Sequence, residues 1–356
     1  MKKFILLSIA FFSGILANAQ PKAILLEEFT GAHCGNCPMG SYMVDSMLDK
    51  YPSLIAVSLH SYTSPDAMFF PQVDTIGTAY AAGAPLGGID RIYNTTFGYV
   101  AIYHNAWDAA IQARLALQPQ LNVSLASSWN AVTRNISATI TTDILTNLAN
   151  GDYRFNLYIV EDSVTGTGFG YDQINFYDAQ VGNPFFGMGN PIVGFVHRHV
   201  VRAILPATWG MPGVIPAAPL SGQSFSFPLN YTLPAGINED HVSLVAFVSK
   251  YSANHQADEA LNTIQQKLTV GTTSIAENSF IQPVSINPAM VNDKLNIYFK
   301  YPVFGYSVEI QNSTGQCVYS SKDKSEIDVS AFSNGIYFVK VRTAENLFIK
   351  KFIKLQ

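Results

Sequence analysis

The sequence predicts an α/β N-terminal domain, an all-β sandwich domain and a small all-β C-terminal domain. Three features carry that prediction: apolar strands alternate with helical spacing as far as Leu117, the hydrophobic period changes to two beyond Pro119, and a further all-β block follows a low-charge stretch at residues 271–283. At about 100 to 200 residues per domain, 356 residues are enough for two or three domains. Only 13% of residues are charged and 12% are aromatic, with 18 Tyr and 23 Phe; this suits β-rich packing and excludes a long disordered chain. A net charge of -4 provides no clustered basic field, so neither nucleic acid nor an anionic membrane is expected as a partner.

Lys2 and Lys3 precede an apolar run over residues 4–16 and then Ala17-Asn18-Ala19, small at both positions that a signal peptidase reads. A signal peptide over residues 1–19, with cleavage before Gln20, is the expectation. A membrane anchor would need about 20 apolar residues, and this run is broken by Ser8, Ser13 and Gly14. No later segment has the length and apolarity of a spanning helix, so no transmembrane span is expected in the mature chain.

Residues 23–29 read as a strand, 30–36 as a loop of small residues, and 38–50 as a helix with apolar positions at Met39, Met43, Met47 and Leu48. Residues 54–60 form a second short strand, 61–74 a polar and aromatic insertion, and Ala84-Pro85 opens a Gly-rich turn into 89–93. The Ala-rich stretch 104–117 reads as a helix. From there, alternation at Leu121 to Leu125, Ile136 to Ile140, Tyr153 to Ile159, Phe225 to Tyr231 and Val242 to Val248 marks half-buried strands, giving a sandwich over 119–270. Inside it, residues 162–191 are long, Gly-rich and aromatic, which suggests a functional or mobile loop. Residues 271–283 read as a linker, and 284–356 as the last all-β module.

Two of the three cysteines form Cys34-Gly35-Asn36-Cys37. A Cys-x-x-Cys at a helix start sets the first sulfur near unpaired N–H groups and the positive end of the helix dipole, which favours the thiolate. Cys34 is then the attacking thiolate, Cys37 the resolving thiol one turn inside, and His33 a further source of positive charge. The alternative is a permanent Cys34-Cys37 disulfide that stiffens the loop, although a four-residue ring contributes only about 2 kcal/mol. Cys317 reads as a packed small hydrophobe.

With Ile24-Leu25-Leu26-Glu27-Glu28-Phe29 ahead of this motif, the chain resembles the thioredoxin superfamily. The resemblance implies that Glu28 is the buried acid that accepts the proton of the resolving cysteine, and that Pro85 is a cis-proline facing the disulfide. His33 and Asn36 depart from the Trp and Pro the family often carries there. The longer string from Leu26 to Pro38, together with residues 197–203 and Trp209-Gly210, resembles the outer membrane protein 28 family of cell-envelope proteins. That implies a thioredoxin-like domain over 20–118 joined to the β-domain.

His197 and His199 would share one face of a strand and are weak candidates for a metal site, but no third ligand is identifiable, and packed polar side chains are the expectation. Asp162, Asp172 and Asp178 read as turn residues. No metal and no cofactor is expected. Ile286-Asn287-Pro288, Gly315-Gln316, residues 334–341 and residues 350–355 are similar to the type A C-terminal sorting domain of type IX secretion. The resemblance implies transit across the outer membrane, removal of residues 284–356, and a partner in the secretion machinery.

The reading is therefore an exported cell-surface or secreted protein with a thioredoxin-like site, acting on protein thiols or disulfides of the envelope or exterior. The alternative is a non-catalytic adhesion or binding protein with a structural disulfide. A membrane β-barrel ranks last, because Lys350, Lys351 and Lys354 occupy the final strand.

Overall fold

Seven consecutive buried residues, Ile24–Thr30, form β1, the axis of the first unit. Burial on both faces is what a strand covered by helices on either side requires, which explains its apolar start at Ile24, Leu25 and Leu26 and makes the buried Glu27 and Glu28 exceptions. The computed structural model describes residues 22–61, 66–268, 284–287, 290–299, 305–312, 314–343 and 347–355. They fall into two compact units, divided between 278 and 279. The signal segment with its cleavage position, the linker at 271–283 and part of the insertion after Ser61 lie outside the described residues.

After β1 come α1 (Cys37–Lys50), β2 (Leu54–His60), α2 (Pro71–Tyr80), β3 (Leu86–Ile89), β4 (Ala101–Ile102) and α3 (Trp107–Leu115). β1 runs parallel to β2 and antiparallel to β3, which pairs with β4. The two-residue period divides β1 between opposite faces. Ile24 and Leu26 pack with Val44 and Met47 of α1 and with Trp107 and Ile111 of α3. Trp107 is fully buried and its Nε1 donates to the Ile102 carbonyl at 3.1 Å. Glu28 shares the α1 face, in register with Ser58 on β2, whereas Glu27 faces the other way. The residues read as an insertion include the start of α2, whose Val73, Ile76 and Tyr80 are buried.

The next elements are β5 (Leu121–Asn130), β6 (Asn135–Ile144), β7 (Asp152–Glu161), β8 (Val200–Leu205), β9 (Ser224–Thr232), β10 (Val242–Tyr251) and β11 (Glu259–Lys267). β5, β6 and β9 form an antiparallel three-stranded sheet. The others extend the first sheet to eight strands in the order β11-β10-β7-β8-β2-β1-β3-β4, with β8 parallel to β2 through Ser58 and Val200. The α/β region and the sandwich therefore share a sheet. Inward residues of β5 and β6, such as Val123, Leu125, Ile136 and Ile140, pack on Phe155, Leu157, Leu244 and Ala246. In β5, β6 and β9 the alternation read in the sequence reflects this one-sided burial. β7 and β10, read as half-buried, instead lie inside the eight-stranded sheet and are buried on both faces over most of their length.

On the Glu27 face the two regions are bolted together by charge. Arg91, 2% exposed, gives Nε and Nη2 to the Glu27 carboxylate at 2.9 and 2.8 Å, and the Tyr158 hydroxyl from β7 donates to Glu27 Oε1 at 2.7 Å. The guanidinium also sits 4.8 Å from the Phe247 ring centre.

The second unit contains β12 (Val284–Asn287), β13 (Met290–Val291), β14 (Lys294–Phe299), β15 (Ser307–Asn312), β16 (Cys317–Lys322), β17 (Glu326–Asp328), β18 (Gly335–Arg342) and β19 (Leu347–Lys354). Sheets β12-β14-β17 and β13-β19-β18-β15-β16 enclose Leu295, Ile297, Val308, Ile310, Val339, Val341 and Phe352. Cys317 is exposed and unbridged, against the expectation of a packed residue. β16 is an edge strand, and only Tyr319 on it packs against the core.

Candidate redox site

The turn from β1 into α1 holds the motif. Cys34 N donates to Gly31 O at 3.1 Å and Cys37 N to Cys34 O at 3.0 Å, closing a tight turn around the Cys34–Cys37 disulfide, whose Cα atoms are 5.2 Å apart. The helix begins at Cys37, with Asn36 as its N-cap residue, so Cys34 lies a turn ahead of the first helical residue instead of at it. Pro38 follows; in the first turn of a helix its missing N–H loses no hydrogen bond. Cys34 and Cys37 are 5% and 1% exposed.

Gly40, one turn further, packs against the two other residues singled out in the sequence. A β-carbon there would come within 2.5 Å of Pro85 Cβ and 2.6 Å of Glu28 Oε1. The absent side chain lets α1 settle on both. The Ala84-Pro85 bond is cis. Glu28 is fully buried; its Oε2 accepts from Ser58 Oγ at 2.9 Å, while its Oε1 has no partner. Burial pushes the Glu28 carboxyl up to about 7, although the Ser58 hydrogen bond works against the rise. A carboxyl so placed can hold or release a proton near neutral pH.

His33 packs against Phe169, with ring centres 4.0 Å apart and ring planes tilted by 51°, and its Nε2 is buried without a partner. Phe169 introduces a feature that sequence reasoning flagged by composition but could not place: residues 166–176 lie across the Cys motif as a strap. Ile174 N donates to Ala32 O at 2.8 Å and Phe176 N to Gly35 O at 2.9 Å. The buried Gln173 sets its Nε2 2.9 Å from Cys34 O, 3.1 Å from Ala32 O and 3.3 Å from Gly31 O. The Phe176 ring covers Gly35. The strap is held internally as well, since Asn175 Nδ2 donates to Phe185 O and Gly189 O, both at 3.0 Å.

A second group missed in the sequence supports the loop from below. Asp66 accepts from Ala32 N at 2.7 Å and Met68 N at 2.9 Å, and bonds His60 Nδ1 at 2.8 Å. Burial pushes the Asp66 carboxyl up, but the His60 imidazole and the two amides outweigh it and hold the group below the usual carboxylate range.

The two histidines do not share a face. His199 has φ +56°, which breaks strand alternation just before β8. His197 places Nε2 2.8 Å from Tyr171 O, and burial lowers its pKa to about 4, whereas His199 Nε2 lies 3.7 Å from Asp45 Oδ1. Among the described residues no cluster of three or more metal-ligating side chains occurs. Asp162, Asp172 and Asp178 accept backbone amides of Ser163, Gly168 and Gly189, as turn residues do.

Sheet, helices and disulfide define a thioredoxin-like α/β region that shares its sheet with an all-β region, followed by a separate all-β unit. The family pattern for Outer membrane protein Omp28 matches residues 75–272, and the chain belongs to that family. The pattern for the secretion system C-terminal sorting domain matches residues 285–355. Among solved structures, HBP35 of Porphyromonas gingivalis is similar in fold, with 20% identity, a TM-score of 0.54, and coverage of 94% of this chain and 99% of that one. A domain of the outer membrane lipoprotein Omp28 from Porphyromonas gingivalis aligns at 15% identity and a TM-score of 0.24, covering 42% of this chain and 88% of that one. No curated protein matches. The sorting module, of the type IX class, implies interaction with that secretion machinery and a location at the outer membrane or outside the cell.

Proposed function

We propose that Cys34 and Cys37 carry out thiol–disulfide exchange on envelope or extracellular proteins. The observation that carries this reading is that Gly40, three residues after the disulfide-bonded Cys37 in α1, packs against both cis-Pro85 and the buried Glu28 carboxyl. In the reducing direction the Cys34 thiolate attacks a substrate disulfide. A Cys34–substrate S–S bond forms, the substrate S–S bond breaks, and the departing sulfur takes a proton. Glu28 then accepts the Cys37 proton; the Cys37 thiolate attacks Cys34 Sγ, forming the intramolecular disulfide and releasing the second substrate thiol. The substrate gains two electrons and the protein loses two. The same steps reversed would hand a disulfide to a dithiol, with direction set by relative potentials.

A Cys37→Ser variant in its native envelope tests this, because the mixed disulfide then has no resolving thiol. Covalent partners dependent on Cys34 are the expected result; no partners, with no turnover of a model disulfide by the wild type, would sink the proposal. The strap favours a second reading, a binding protein with a structural disulfide, since it leaves Cys34 only 5% exposed. A potential below about -300 mV would favour that reading. For the second unit, removal of residues 284–356 should leave the rest folded and held in the periplasm; unchanged surface delivery would exclude a sorting role.

A further inference from the structure

A cavity of about 440 Å³ opens between α1, β2 and residues 185–199. Its walls are mostly apolar, with Tyr42 and Val44 of α1 and Phe185, Met188, Ile192 and Phe195, and Asp45, Arg198 and His199 add polar groups. Its buried end is Glu28, whose Oε1 has no hydrogen-bond partner although the residue is fully enclosed. Such a combination of mainly apolar lining, moderate volume and a few polar groups is the usual form of a small-molecule site.

We propose that this cavity binds a small amine, an alkyl or aryl ammonium whose apolar body packs on the wall residues and whose N–H donates to Glu28 Oε1. The chemistry of the lining selects the class. An ionised carboxylate only accepts hydrogen bonds, so the deep group of the ligand must be a donor. Two carboxylates, Glu28 and Asp45, line the cavity with one guanidinium, Arg198, and the His199 imidazole, which lies 3.7 Å from Asp45. That guanidinium is already engaged, 2.9 Å from Asp45 and 3.6 Å from Asp162. An anion would face uncompensated negative charge, whereas an ammonium completes a charge-assisted pair in an environment of low dielectric. A neutral donor of the same shape would gain the hydrogen bond without the charge.

The cavity shares Glu28 with the proposed exchange reaction, but neither cysteine lines it, so amine binding can be read without the thiols. Calorimetric titration of the full chain with 2-phenylethylamine and, as the uncharged counterpart, 2-phenylethanol tests it at pH 8, where Glu28 is mostly ionised. Saturable binding of the amine is expected, at least ten-fold tighter than the alcohol. Glu28→Gln should weaken the amine at least ten-fold and change the alcohol less than two-fold. Met188→Trp, made at a half-exposed wall position, should block both compounds. Cys34→Ser should bind as the wild type does, so a failed exchange reaction leaves this result standing. Absence of saturable amine binding, equal amine affinity in wild type and Glu28→Gln, or undiminished binding in Met188→Trp would overturn the proposal.

Discussion

Phe176 covers Gly35 so closely that a β-carbon at position 35 would lie 2.4 Å from its ring, and the Phe176 amide donates to the Gly35 carbonyl at 2.9 Å. The first of the two residues between the cysteines and a residue of a distant loop are thus fitted to each other. Gly35→Ala forces the ring away, because an aromatic face cannot yield by that much without a rotamer change or backbone shift. We expect a stability loss of about 1 to 3 kcal/mol in urea unfolding, and faster reduction of Cys34–Cys37 by dithiothreitol. An unchanged reduction rate would mean that the strap does not limit access.

Gln173 holds the same strap by a separate set of bonds. Its Nε2 has two hydrogens and stands within reach of the Gly31, Ala32 and Cys34 carbonyls as well as Ile174 O. Gln173→Leu keeps the volume and removes the donor, so buried carbonyls are left unpaired at about 1 to 3 kcal/mol. Hydrogen exchange at the Ile174 and Phe176 amides should accelerate in this variant while that of β1 stays slow. Equal protection of both amides in variant and wild type would assign the strap's order to other contacts.

Parts of this arrangement were legible in the sequence. β6 alternates in burial along its whole length because one face meets the sandwich core, so its period-two pattern is a direct image of its packing. Pro85 and Glu28 were identifiable from resemblance, yet the unpartnered Oε1 was not, since it depends on what packs around the carboxyl. The insertion read over 61–74 takes in the start of α2, and the rest of that helix has no sequence assignment: its apolar positions Val73, Ile76 and Tyr80 follow helical spacing, but Gly77 interrupts the pattern where a β-carbon would meet Ser61 Cβ at 2.6 Å. The strap's composition marked it as a loop, and nothing local specified that residues 173–176 bond to residues 31–35. The pairing of β8 with β2 is equally non-local, and the positive φ of His199 overrides the alternation expected of His197 and His199.

The Glu27–Arg91 pair is buried at 0% and 2% exposure and joins β1 to the segment after β3, with Tyr158 from β7 completing it. Removing one partner strands a charge in the interior. Arg91→Met should therefore destabilise by about 3 to 5 kcal/mol. The double variant Glu27→Leu with Arg91→Met removes both charges and should recover part of that loss. Denaturant midpoints of the four proteins measure the coupling; a double variant no better than the sum of the singles would show that packing, not charge, accounts for the loss.

Glu28 and His197 shift in opposite directions, with opposite consequences for stability. Burial raises Glu28 from 4.5 to about 7, so the folded protein holds a proton that the unfolded chain releases, and stability falls as pH rises from about 4.5 to 7. Burial, aided by the nearby His60 charge, lowers His197 from 6.5 to about 4, so the unfolded chain binds a proton the folded one refuses. Stability from this group falls as pH drops from about 6.5 to 4. At about 1.36 kcal/mol for each unit of pKa, each effect reaches roughly 3 kcal/mol, and the two largely cancel between pH 4.5 and 6.5 in the wild type. Single substitutions should separate them. Glu28→Gln leaves the His197 contribution, so its stability should climb with pH relative to wild type across this window. His197→Gln keeps a donor for Tyr171 O and leaves the Glu28 contribution, so its stability should fall with pH. Urea midpoints at pH 4.5, 5.5, 6.5 and 7.5 read both slopes, each approaching the one-proton limit of about 1.4 kcal/mol per pH unit. Parallel pH profiles for the two variants and wild type would show that neither group changes its protonation on folding.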